Sequence, residues 1–154
     1  MAQTIGFGII GCGNIAPMHA RSIAEIDGAT LVAVSDVSEE RAKGLADEYG
    51  AAVYTDYHEM LQRDDVHAVS LCIPSGMRCE IGEACAQAGK HVLSEKPLEV
   101  TTERIDRLIK ATDDAGVTLG CIFQSRFTDS ARAIRKALDD GRFGKLVLGD
   151  AYIK

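Results

Sequence analysis

The sequence has no apolar run long enough to cross a bilayer, no cluster of Lys and Arg, no C-x-x-C pair and no low-complexity stretch or linker through residue 124. Each absence removes a class of function. A transmembrane helix needs about 20 consecutive apolar residues, so no membrane partner is expected. Lys and Arg number 17 against 23 Asp and Glu, a formal net charge of -6, the wrong sign for a nucleic-acid backbone. The five cysteines, at 12, 72, 79, 85 and 121, are odd in number and lack zinc or disulfide-framework spacing. They read as reduced, mostly buried thiols of a cytoplasmic protein. His58, His67 and His91 have no ligand spacing, and no metal is expected. The N-terminal "MAQTIGFGIIGCG" lacks a basic segment and glycines break its apolar run, which reads as a first strand and not a signal peptide.

What remains is ordinary globular composition, 154 residues with 46% hydrophobic and 26% charged, enough for one domain with a proper core. Apolar, β-rich runs at 4–10, 30–35, 52–54, 67–73, 91–94 and 117–122 alternate with segments of helical period. "TLVAVSD" and "HAVSLCIP" are nearly continuous apolar runs, as strands covered on both faces would be. Ile15, Met18, Ser22 and Ile26 mark one helix stripe; Ala42, Leu45, Ala46 and Tyr49 a second; Ile105, Leu108, Ile109 and Thr112 a third. Ser38 and the "DYHE" run (Asp56, Glu59) are start signals, and Gly50, Gly89 and Gly116 fall where helices should stop. This alternation predicts βαβ units in an α/β fold, a doubly wound parallel sheet with helices on both faces.

The rhythm changes after residue 124. "DSARAIRKALDDG" is one more amphipathic helix, with Ala131, Ile134 and Leu138 on one face, and "KLVLGDAYIK" reads as a strand at which the chain stops. A terminal strand with no partner is an exposed edge. The expected organisation is a domain over 1–124 and, over 125–154, a linking helix and first strand of a second α/β domain that is otherwise missing.

"IIGCGNIA" matches G-x-G-x-x-A through Gly11, Gly13 and Ala16. A tight turn out of a strand needs the first glycine. The second lets the backbone approach a pyrophosphate, and a small third residue lets the helix pack close with its N-terminus aimed at the anion. The motif follows a strand and precedes a helix, and the second strand ends in Asp36, 25 residues after Gly11. That context favours dinucleotide binding over a merely structural turn. Asp36 would accept two hydrogen bonds from the adenosine ribose and repel a 2′-phosphate, so NAD is expected ahead of NADP; Ser38 and Arg41, close in sequence, weaken that preference. "CIPSG" ends the fourth strand at the sheet edge where ligands bind, with Pro74 setting the turn and Ser75 placed to cap the next helix.

In "HVLSEKPLEV", Glu95 and Lys96 fall where the fifth strand ends, at that same carboxyl edge. A lysine there can donate to a substrate hydroxyl and assist proton transfer as a hydride leaves. Glu95 can hold the ammonium, and Pro97 fixes the backbone at a bond where a cis peptide is accessible. The bland alternative is a surface ion pair at a strand end. His19, on the first helix, reads as a helix-surface or packing residue. Gln124 and Arg126 in "FQSRF" leave the sixth strand at the same edge, either to contact cofactor and substrate or to form a hinge between domains.

With G-x-G-x-x-A, Asp36, the Pro74–Ser75 loop, "AGKHVLSEKPL" and "FQSRF" in this order, the chain resembles the Gfo/Idh/MocA oxidoreductases, of the glucose–fructose oxidoreductase and inositol dehydrogenase types. The resemblance runs over essentially the whole chain, and A-G-K-H-V-x-x-E-K-P is its most specific part. It implies a Rossmann domain that binds NAD(P) and serves hydride transfer at a ring carbon of a sugar, polyol or related compound. It implies cofactor-lining roles for Gly11, Gly13, Asn14, Ile15, Asp36, Pro74, Ser75 and Glu95, and Lys96 is implied as the catalytic or substrate-positioning residue. From their place at the sheet edge, Gln124 is expected at the cofactor and Arg126 at the substrate. The family often carries a histidine where Arg78 stands, which leaves Arg78 outside the expected site. A second α/β domain, which would cover the active site and form a homo-oligomer interface, is implied beyond residue 154. The competing expectation is a non-catalytic dinucleotide-binding sensor or partner-binding module. It would explain the short chain but gives Lys96 no task.

Overall fold

A computed structural model describes residues 4–152. Six strands, β1 (Ile5–Ile10), β2 (Ala29–Ser35), β3 (Ala52–Tyr54), β4 (Ala68–Leu71), β5 (His91–Ser94) and β6 (Leu119–Cys121), form one sheet in the order β3-β2-β1-β4-β5-β6. Every pairing is parallel. Parallel neighbours require crossovers, which the helices supply: α1 (Ala16–Ala24), α2 (Glu39–Tyr49), α3 (Tyr57–Leu61), α4 (Arg78–Gln87) and α5 (Thr102–Asp114). This is the doubly wound α/β fold that the sequence predicts. The chain leaves β1 toward β2 on one side and later returns to β4 on the other. The crevice beyond the carboxyl ends of β1 and β4 is therefore the place where this topology admits a ligand.

Strand periodicity divides the core into two layers. Ile9 packs with Val34, Leu31 and the alanines of α1 and α2, whereas its neighbour Ile10 packs with Val69, Leu71, Met60 and Ile81 on the opposite face. The α2 stripe falls where expected, with Ala42, Leu45 and Ala46 buried and Tyr49 partly so; of the α5 stripe Leu108 and Thr112 are buried and Ile105 partly so, but Ile109 is 41% exposed. The α1 stripe does not fall where expected. Its inner face is Ala16, His19, Ala20 and Ile23, while Met18 and Ile26 are each 56% exposed. Close approach of this helix to the sheet needs alanine-sized residues, and that requirement overrides the larger apolar side chains one position away.

Two compact units divide between Ile122 and Phe123. The second contains a 3-10 turn (Gln124–Phe127) and α6 (Asp129–Asp139), which Thr128 caps by accepting from the Ala131 amide. The strand expected over 145–154 is not formed across residues 145–152, and 153–154 lie outside the described residues. A lone extended segment has no neighbour to take its backbone hydrogen bonds, so nothing holds it as a strand.

Ser75 does not cap α4. A short 3-10 turn (Ser75–Met77) intervenes, and the carboxylate of Glu99 takes the capping role from outside the helix. It accepts from the Cys79 amide at 2.8 Å, the Val100 amide at 2.8 Å and Arg104 Nη2 at 3.1 Å. Burial pushes the Glu99 carboxyl up, but these donors outweigh it and hold the group below its ordinary value. A carboxyl depressed in the folded state contributes stability that is present above its unfolded value, about 4.3. That stability is lost as the pH falls through the folded value. Glu99→Gln is therefore expected to unfold about 1–3 kcal/mol more easily than wild type at pH 7, with the gap narrowing toward pH 3. Urea titrations at the two pH values read this, and a gap that does not change with pH would count against it.

Candidate functional site

The loop after β1 is built around one close approach. Gly11 has φ +88°, and a Cβ on it would lie 2.6 Å from the Cys72 carbonyl oxygen. Its amide donates to Ser35 O at 2.8 Å, and the Cys72 amide donates to Ile10 O at 2.8 Å. The ends of β1, β2 and β4 are thereby drawn together. Gly13 differs. A Cβ there would meet no protein atom within 4 Å, so packing does not demand glycine and the space before it is open. No acidic residue stands in the first turn of α1, so the positive end of its dipole meets that opening without a competing carboxylate, although Pro17 has no N–H and the Ala16 and Met18 amides are turned back onto Gly13 O and Ile15 O.

Asp36 stands at the end of β2 as expected, but its carboxylate is already engaged. Oδ2 accepts from the Cys12 amide at 2.8 Å, which ties it to the glycine loop. Oδ1 accepts from the Ser38 amide at 2.8 Å and from Arg41 through Nη2 at 2.7 Å and Nε at 3.2 Å. Burial pushes the Asp36 carboxyl up, but Arg41 and the two amides outweigh that and hold it low. A carboxylate offers about four acceptor positions, two on each oxygen; three donors crowd Oδ1 and one reaches Oδ2, which keeps a position open. Further hydrogen bonds to Oδ1 require Arg41 to move, and its half-exposed side chain is free of the core. The neighbouring thiols are no nucleophiles: burial, with help from Asp36, pushes Cys12 up to about 12, and burial pushes Cys72 up to about 12.

These groups border a cleft of about 490 Å³ whose lining includes Gly11, Gly13, Asn14, Asp36, Arg41 and Pro74. Five of the nine residues expected at the cofactor thus line one cavity. Ile15 immediately precedes α1, and Ser75 is half-buried with its hydroxyl accepting from Arg78 Nη1 at 3.4 Å; neither belongs to the lining. Gln124 and Arg126 lie in the second unit, in its exposed 3-10 turn, where Arg126 shares a groove with Phe127, Arg132 and Asp139.

Lys96 follows the end of β5, is exposed, and is joined to Pro97 by a cis peptide. Glu95 does not hold its ammonium. The Glu95 side chain is buried, with Oε1 3.1 Å from His19 Nε2 and Oε2 accepting the main-chain N–H of Lys96 at 3.0 Å. Glu95 and Lys96 lie just past the end of β5, and there Glu95 stays buried with His19 as its partner while Lys96 is exposed. Two residues outside the expected site therefore belong to this region. His19 is buried beneath it, and Arg78 donates to carbonyls on both the Ile73–Ser75 loop and Pro97. The signal for His19 lay in the alanines beside it, Ala16 and Ala20, which mark the inner face of α1.

A parallel 3-2-1-4-5-6 sheet with a glycine turn, a strand-end aspartate and a cleft at the switch in strand order defines a dinucleotide-binding Rossmann domain. The profile of the Gfo/Idh/MocA oxidoreductase family, NAD-binding Rossmann fold, matches residues 5–123, and the chain belongs to that family. It is 37% identical over 139 residues to myo-inositol 2-dehydrogenase of Thermotoga maritima, covering 90% of this chain and 42% of that protein. It is 35% identical over 144 residues to inositol 2-dehydrogenase of Rhizobium meliloti, covering 94% and 43%. Among solved structures, the WlbA dehydrogenase of Bordetella pertussis in complex with NADH and UDP-GlcNAcA superposes with a TM-score of 0.89 at 36% identity, covering 94% and 43%. The chain spans less than half the length of the curated relatives it matches.

The two glycines should respond differently to a methyl group. Gly11→Ala combines a positive φ with a carbonyl clash and is expected to lose about 2–4 kcal/mol. Gly13→Ala is expected to keep wild-type stability or gain up to about 1 kcal/mol. Chemical denaturation of both variants decides it, and equal losses would show that Gly13 is needed for the fold.

Proposed function

We propose that this chain is the cofactor half of an NAD-dependent dehydrogenase that moves a hydride between nicotinamide and a hydroxyl-bearing carbon of a polyol or sugar. The carrying observation is one sheet edge that joins an open glycine-lined cleft at β1 and β4 to an exposed lysine at the end of β5. The residues fit the group: Gly13 leaves room for a pyrophosphate that no protein atom fills, and the start of α1 presents its dipole there with no acidic residue in the first turn. Gly11, Gly13, Asn14 and Ile15 would hold the pyrophosphate and Asp36 the adenosine ribose, with Arg41 displaced from Oδ1 as the ribose hydroxyls arrive. Pro74, Ser75 and Glu95 would complete the contacts from the first unit, and Gln124 is assigned as a further cofactor contact. When bound, the nicotinamide supplies the hydride acceptor or donor. Lys96 would hold the substrate hydroxyl and take up or return its proton at Nζ, with Arg126 a second substrate contact.

The Asp36 carboxylate favours NAD over NADP, and the pairing of Arg41 with it softens that preference. The curated relatives are more than twice as long, and they are named for action on inositol. By the same reading residues 125–154 are the linking helix and opening segment of a second domain that carries the rest of the substrate pocket, in a cytoplasmic homo-oligomer.

Calorimetric titration tests the cofactor half directly. NAD⁺ is expected to bind saturably, NADP⁺ about tenfold more weakly or worse, and Asp36→Ala to lose about tenfold or more in NAD⁺ affinity. A folded chain that binds neither nucleotide would overturn the reading.

A further inference from the structure

Two buried side chains brace the backbone on either side of Lys96, His19 through the Glu95 carboxylate and Arg78 directly at the Pro97 carbonyl. The first comes from the glycine-loop wall. His19, on α1 and 7% exposed, lies with Nε2 3.1 Å from Glu95 Oε1, and the other Glu95 oxygen accepts the Lys96 main-chain N–H at 3.0 Å. Ser70 of β4, fully buried, has its Oγ 2.6 Å from His19 Nδ1. Nε2 faces a carboxylate oxygen and Nδ1 shares a hydrogen bond with the Ser70 hydroxyl, which can donate or accept. Both ring nitrogens have a partner, and the ring is fixed in orientation.

The second comes from the wall after β4. Arg78, 5% exposed, donates to the Ile73 carbonyl through Nε at 3.1 Å and Nη2 at 2.9 Å, and its Nη1 donates to the Pro97 carbonyl. Among the described residues no carboxylate pairs with this guanidinium; carbonyl dipoles and the Ser75 hydroxyl carry its charge. Burying a charge on such terms is unfavourable, and packing alone would not require it. What the guanidinium provides is a planar five-donor fork that spans the Ile73 and Pro97 carbonyls at once.

We propose that His19 and Arg78 are positioning residues for Lys96. They tie the peptide units before and after it to the two walls of the dinucleotide cleft, so that an exposed amine is presented from a fixed pedestal. Seating a dinucleotide between the walls and ordering Lys96 are then linked, and by reciprocity each favours the other. The proposal rests on the reading of Lys96 as the reacting amine, but the bonds can be read without any cofactor.

Backbone amide exchange, followed by NMR on the 154-residue chain, tests it. The Lys96 N–H is itself the donor to Glu95, and the Val69 amide in β4 reports global opening. His19→Phe keeps a ring and removes the donor, His19→Gln restores an N–H at the place of Nε2, and Arg78→Lys keeps the charge and loses the fork. His19→Phe and Arg78→Lys are each expected to speed Lys96 exchange relative to Val69 by about tenfold, and His19→Gln to return it to within about threefold of wild type. If His19→Phe does not fold, His19→Asn, which keeps only the Ser70 contact, reads the same bond. Lys96 and Val69 accelerating in step, or His19→Gln behaving as His19→Phe, would show that the two side chains serve packing alone and overturn the proposal. Saturating NAD⁺ should slow Lys96 beyond Val69 in wild type by about threefold or more and fail to do so in His19→Phe; binding without that difference would overturn the linkage. Absence of NAD⁺ binding would defeat the proposed function and leave the cofactor-free comparison standing.

Discussion

The site depends on how closely β1 can approach the end of β4. At Gly11 the Cα stands where any side chain would collide with the Cys72 carbonyl, and the same residue donates its amide to Ser35 at the end of β2. Three strand ends therefore meet at one glycine. Had the turn been wider, β1 could still have paired along its length, but Asp36 could not have reached the Cys12 amide, and the glycine loop would have lost its anchor. The cleft is the space left over when a tight turn and a strand end are tied together at the point where the strand order changes.

Three buried carboxylates recur at this edge with a common habit. Asp36 accepts the amides of Cys12 and Ser38, Glu95 that of Lys96, and Glu99 those of Cys79 and Val100. In each case a negative charge is kept from water by giving it main-chain donors that a loop would otherwise leave unpaired, which answers two costs at once: the desolvated carboxylate and the orphaned N–H. Loops at the carboxyl edge have no ladder to hold them, and these side chains take the place of one. Rigidity here comes from polar contacts made in the interior, and apolar packing supplies the two layers behind them.

This explains which features were legible from the sequence. Strand runs, the glycine motif, Asp36 and the Glu95–Lys96 pair are local patterns: each is read from neighbours within a few residues, because a turn or a strand end constrains the residues that form it. The His19–Ser70–Glu95 chain joins positions 51 and 76 residues apart, and no spacing rule connects them. His19 was further hidden because bulky Met18 and Ile26 suggested the wrong inner face for α1, where close packing had selected Ala16 and Ala20. Arg78 falls outside the expected site because an arginine at that position carries no local motif. Its fork, however, makes contacts that depend on reach and donor number, and those follow from the fold.

Arg41 shows the same limit at the specificity end of the cleft. Sequence alone places it near Asp36, and proximity could mean either a partner for the carboxylate or a counter-charge for a phosphate. The structure shows the first arrangement, with two guanidinium nitrogens on Oδ1. On the proposed reading, that pairing offsets much of the negative charge that would reject a 2′-phosphate, yet it also crowds Oδ1, one of the two oxygens a ribose would use. If Asp36 receives the ribose as proposed, discrimination between cofactors would be a competition for one exposed arginine, between a fixed carboxylate and whatever the incoming ribose carries, and would depend on the cost of drawing Arg41 away from that carboxylate.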